Sequence, residues 1–148
     1  MKNVHIYLCV ALGAASLVAC GPSKVDQCNA FIDKANAAQT TITGLNLDSE
    51  DPATLEKAAA KIEGDAKAVE AVALKDEKLI AFKGDYAKSL NSLAKTVRDL
   101  AGLQKDAKDP AKAAGVEAKA KTITADAEKI EKDESKLVDD INKYCSGS

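Results

Sequence analysis

Leu79-Ile80-Ala81-Phe82-Lys83-Gly84-Asp85-Tyr86-Ala87-Lys88-Ser89-Leu90-Asn91-Ser92-Leu93-Ala94-Lys95-Thr96-Val97-Arg98-Asp99-Leu100 repeats its apolar residues every seven positions. Leu79, Tyr86, Leu93 and Leu100 form one series, and Leu90 and Val97 fill the alternate seam. An α-helix turns once in 3.6 residues, so a sustained period of seven keeps one face apolar. Neighbouring helices then wrap with left-handed, knobs-into-holes packing. Phe82 and Tyr86 at helical spacing read as core rather than as a ligand box. No strand-like alternation of any length appears in the chain.

The same reading extends in both directions. Upstream, Asp51-Pro52 is a helix start, an N-cap acid followed by proline at the first helical position. Leu55, Ile62 and Val69 follow at intervals of seven, and this helix ends between Val72 and Asp76. No Gly or Pro marks that end, so two helices or one long rod both fit. Further upstream, Ser23 caps a first helix, with Asp26 placed for a capping box. Val25, Cys28, Phe31, Ile32, Ala35, Ile42 and Leu45 are its apolar positions, and Thr43-Gly44 closes the pattern. Downstream, the periodicity fades from Gly102 to Lys108, and Asp109-Pro110 repeats the capped start. Val116, Ile123, Ile130, Leu137 and Tyr144 then recur every seven residues, with Ala113, Ala120, Ala127 and Ile141 beside them. The expectation is an all-α, antiparallel up-down four-helix bundle. Alanine in the second seam makes its core long and thin, since each alanine buries little area. Gly64, Gly84, Gly102 and Gly115 each weaken a helix by about 1 kcal/mol relative to Ala.

The N-terminus carries a different signal. Lys2 precedes an apolar run from Ile6 to Val18, too short for a membrane-spanning helix at about 20 residues. The run closes on Leu17-Val18-Ala19-Cys20, which resembles the lipobox of bacterial lipoproteins. An ordinary signal peptide cut nearby and an uncleaved anchor are the rival readings. The resemblance implies cleavage before Cys20, a diacylglyceryl thioether on its sulphur and an acylated amine. Two or more chains suffice for stable anchoring, at about 0.8 kcal/mol per buried methylene. Gly21 rather than Asp after the cysteine implies, by the same resemblance, the outer membrane. The run Leu74-x-Asp76-x-x-Leu79-x-x-Phe82-x-x-x-Tyr86 also resembles a pattern in helical bacterial lipoproteins, and it brings no function with it. The domain expectation is therefore a signal peptide over 1–19, lipid attachment and a short tether over 20–22, a bundle over 23–145 and a tail over 146–148.

The full chain of 148 residues has a formal charge of −2, which becomes −3 without Lys2. That balance does not suit a nucleic-acid binder. Cleavage also removes the single histidine, His5. The remainder lacks the parts for a Ser-His-Asp or Cys-His nucleophile, a His-containing zinc set or a Glu-x-x-His di-iron site. No glycine-rich phosphate loop occurs. A carboxylate pair remains formally open, but Asp and Glu alternating with Lys on Ala-rich helices read as solvated faces.

With Cys9 removed and Cys20 lipidated, Cys28 and Cys145 are an even pair in a secreted chain. An up-down bundle with four helices brings the start of the first and the end of the last together. Three helices would part them by roughly 30 Å. A Cys28–Cys145 disulfide is the expectation, and two separate thiols the alternative.

No catalytic residue, metal ligand or cofactor is expected. The expected function is that of an envelope interaction or scaffold protein, held to the membrane through lipid on Cys20 and presenting helix faces or distal loops to an envelope protein. Leu45, Leu47, Asp48, Glu50 and Asp51 in the first loop form the candidate partner patch. The alternative is a small-ligand or lipid binder with an interhelical cavity.

Overall fold

The first three helices each begin where a short polar side chain takes up free amide groups. In the computed structural model, which describes residues 22–146, α1 spans Lys24–Thr43. The Ser23 hydroxyl accepts from the Asp26 amide at 3.1 Å, and the Asp26 carboxylate accepts from the Ser23 amide at 3.0 Å. The Gly44 amide closes the helix on the carbonyls of Thr40 and Thr41. α2 spans Pro52–Glu70, with the Asp51 carboxylate accepting from Ala53 and Thr54. α3 spans Glu77–Ala107 and is capped by Asp76, which accepts from the Leu79 amide at 3.0 Å.

α2 and α3 are separate helices, and the break is held from outside. The Gln27 Oε1 accepts from the amides of Lys75 and Asp76 at 2.5 and 3.0 Å, and its Nε2 donates to the Pro22 carbonyl at 3.0 Å. Lys83 Nζ donates to the carbonyls of Glu70 and Val72, which the end of α2 leaves free. Tyr144 donates to Asp76 as well. Tertiary side chains thus supply the stop that Gly or Pro supplies elsewhere.

α4 spans Ala113–Ser146, and its start corrects the expected one. The Asp109 carboxylate accepts from the Ala111 amide at 3.0 Å, and the Asp109 carbonyl accepts from the Lys112 amide at 2.9 Å. Asp109-Pro110 is consumed in this tight turn, and the helix begins beyond it.

The core lies among the first three helices. Phe31, Leu55, Ile62, Val69, Leu79, Tyr86 and Leu90 are almost wholly buried, with Ala38, Ala59, Ala66, Ala94 and Ala101 between them. Phe31 and Tyr86 meet edge to face at 6.2 Å. Two apolar series fit this core less closely than their spacing suggests. Val25 is 63% exposed, because it lies in the first turn of α1 beyond the packed layer. On α4, Val116, Ile123, Ile130, Leu137 and Tyr144 are only half-buried, and Ile141 alone is fully covered. The reason is placement: α4 packs along α3 and meets α1 sparingly, and no Cα of α4 comes within 8 Å of one in α2.

Pairings fix the register. Arg98 forms a two-pronged contact with Glu63, and Lys105 meets Glu56, so positions fall on α2 as they rise on α3. On α4, Lys119 meets Asp106 near the start, and Tyr144 meets Phe82 near the end. Cys28 and Cys145 are bonded, with their Cα atoms 5.8 Å apart. The described residues therefore hold all four helices, the core and its bridge. The expected signal peptide and Cys20 lie outside them. No helix among the described residues is long and apolar enough to cross a membrane.

Candidate functional site

α4 is fastened to α1 by the disulfide, and away from that bond the two helices stand apart. The gap is a groove of about 380 Å3. Ile32 and Ala35 of α1 form one apolar wall, and Val138 and Ile141 of α4 form the other. Tyr86 of α3 closes the floor. The groove runs along residues 131–142 of α4, opposite Ile32, Ala35, Asn36 and Gln39 of α1.

The Tyr86 ring is buried, and its hydroxyl donates to the Ala35 carbonyl at 3.2 Å. Burial, with Glu134 and Asp65 nearby, pushes that hydroxyl from 10.0 up to about 12. The floor is thus neutral, with its hydroxyl already satisfied. Glu131, Glu134 and Asp139 stand along the α4 side. Glu134 is half-buried, and burial raises its carboxyl above the usual range. Among the described residues, no hydrogen bond or ion pair reaches any of these three carboxylates. None of the groove's lining residues is Lys or Arg.

The grooves on the other side of α4 differ. Lys88, Lys136, Asp85, Asp133 and Asp140 line one, and Lys95, Arg98, Lys119, Asp99, Asp106 and Asp126 border another. Both signs are present there, and several of these charges are already paired, as in Lys95–Asp99 and Lys119–Asp106.

The candidate patch of the first loop lies between α1 and α2. Leu45 and Leu47 are half-buried and pack against the core. Asp51 is committed to capping α2. Gln104 Nε2 donates to the Ser49 carbonyl at 2.7 Å and ties the loop to α3. Asp48 and Glu50 remain exposed. The patch thus has a charged outer edge and leucines directed into the fold. Cys28 and Cys145 form the bridge, and Cys20 lies outside the described residues.

Sequence reading did not single out the α1–α4 groove. A signal for it exists in Leu137-Val138, two adjacent apolar residues that widen the α4 stripe beyond one seam. Glu134 lies four residues before Val138 and so shares its face. Among the described residues, no group of three or more His, Cys, Asp or Glu is placed to hold a metal ion. Comparisons of the chain with protein families, with curated proteins and with solved structures found no match.

Proposed function

We propose that this chain is a lipid-anchored protein of the bacterial envelope that works by binding rather than by catalysis, with the α1–α4 groove as its binding face. The observation that carries the reading is the incomplete cover of α4. Val138 is 38% exposed beside Ile32 and Ile141, on a helix whose apolar stripe is wider than its contact with α3. Uncovered apolar surface beside a rigid core is what a partner buries. The inward-packed leucines favour this helix face over the distal loop.

The lipobox at Leu17–Cys20 supports attachment through Cys20, and Gly21 supports the outer membrane. The paired positions along α2, α3 and α4 support the up-down order. The bond from Cys28 to Cys145 supports an arrangement with both ends of the domain on the anchored side and the first loop and the α3–α4 turn at the far tip. Two occupants of the groove follow from this reading. A partner's helix face would continue the bundle. A small ligand is favoured by the groove's size, which falls within the range of small-molecule sites.

The test is site-specific photocrosslinking in intact cells, with the crosslinker at Val138 or, for comparison, at Asp48. Adducts from position 138 alone support the groove. Adducts from position 48 alone move the binding face to the loop, and none from either ends the partner reading. Palmitate labelling that survives Cys20→Ser would refute the anchor.

A further inference from the structure

We propose that the α1–α4 groove takes a small organic cation, a protonated amine on an apolar body. This inference rests on the ligand reading of the groove and names the ligand's chemistry.

Charge complementarity selects the sign. Glu131, Glu134 and Asp139 face the groove with neither hydrogen bond nor ion pair among the described residues, and no basic side chain lines it. An anion there would meet three carboxylates and no donor of positive charge. Some acids elsewhere are neutralised within the fold: Asp106 meets Lys112 and Lys119, and Glu63 meets Arg98. Within the groove Glu134 is the carboxylate that is both half-buried and unpaired, while Glu131 and Asp139 are exposed and also border Lys132 and Lys136 on the outer face of α4.

The floor selects the rest of the ligand. Ile32, Val138 and Ile141 offer an apolar bed, and the Tyr86 hydroxyl is spent on the Ala35 carbonyl. A fully hydrated inorganic cation gains little on such a surface, whereas an alkyl or aryl body gains burial. Glu134 is the inner carboxylate, half-buried where Glu131 and Asp139 are exposed. An ammonium donating to it would form a charge-assisted hydrogen bond in a partly water-excluded place. The ligand's body would lie along Val138 and Ile32.

The experiment uses residues 20–148 with Cys20→Ser, which keeps every described residue and the bridge. Octylammonium, octanoate and octanol are each titrated below their aggregation limits by calorimetry and by two-dimensional NMR. Octylammonium is expected to fill one site, moving the amide signals of Ile32, Asn36, Glu134 and Val138, with octanoate binding at least roughly tenfold more weakly. Glu134→Gln should weaken octylammonium roughly five- to tenfold. Glu117→Gln, on α4 outside the groove, should leave it unchanged. Octanol binding as tightly as octylammonium would overturn the cation preference and leave the ligand reading intact. An unchanged affinity in Glu134→Gln would also overturn the proposal. Failure of all three probes would overturn both.

Discussion

Gln27, in the second turn of α1, holds Asp76, the residue that starts α3. One side-chain oxygen accepts from the amides of Lys75 and Asp76, while the amide nitrogen reaches back to the Pro22 carbonyl. Gln27 is buried, and the two hydrogen bonds it accepts are partly buried. Gln27→Leu removes the acceptor and leaves those donors unsatisfied. The expected loss is about 1–3 kcal/mol in urea denaturation, with faster hydrogen exchange at residues 75–79. Unchanged exchange there would mean the break between α2 and α3 is fixed by other contacts.

The bridge closes most of the chain into one loop, with 117 residues of sequence separation. A loop of that size is stabilised by about 4–5 kcal/mol in the chain-entropy account. Reduction, or Cys28→Ala with Cys145→Ala, should lower the denaturation midpoint accordingly. The effect should be unequal along the molecule. Among the described residues, α4 contributes only Ile141 to the fully buried core, so its amides should lose protection before those of α2 and α3. Uniform loss across all four helices would contradict this division.

The same division predicts how core truncations rank. Ile62 of α2 is wholly buried in the core, and Ile123 is half-buried on α4. Ile62→Ala should cost about 2–5 kcal/mol, since it leaves a cavity in a packed layer. Ile123→Ala should cost about 1 kcal/mol, because less of the side chain leaves water on folding. Equal losses by chemical denaturation would show that α4 shares the core fully.

Gly64 and Gly84 sit inside helices, and a Cβ built at either meets nothing within 4 Å. Gly64→Ala and Gly84→Ala should each stabilise by about 0.5–1 kcal/mol, since alanine narrows the unfolded ensemble and fits the helix. Thermal melts of the single and double variants test this, and a lower midpoint in either would refute it.

Tyr86 sets an alkaline limit. Its hydroxyl ionises near 10.0 in an unfolded chain and near about 12 in the fold. Between those values the unfolded state has released a proton that the folded state keeps. The stabilisation is therefore complete below pH 10 and is lost as pH rises towards about 12. Denaturation followed across that window should show a steeper fall in the parent chain than in Tyr86→Phe. Parallel curves would mean that Tyr86 is less buried than its place in the core implies.

Local chemistry made much of this fold legible. Ser23 with Asp26, and Asp51 with Pro52, start helices where short-range capping says they should, because a cap depends on its own next three residues. The period of seven marked Leu79, Tyr86, Leu90 and Val97 as core, and they are buried, while Leu93 and Leu100 of the same repeat are half-buried against that core. Pairing Cys28 with Cys145 followed from four helices and an even count of thiols. What stayed illegible depends on distant partners. The α2–α3 break rests on Gln27 and Tyr144, both far from it in sequence, together with Lys83 from early in α3. The α1–α4 groove arises because α4 follows α3 and stands off α1, and a repeat along one helix carries no record of how closely a second helix approaches. Asp109-Pro110 misled for a related reason: an acid before proline serves a turn as readily as a helix start.

The Cys28–Cys145 bond also determines how this domain carries mechanical load. Tension applied before Cys28 and after Cys145 passes directly between two sulphurs, and the helices between them hang from that link unstressed. A tug on the tail would reach the leading segment without passing through the chain between the two cysteines.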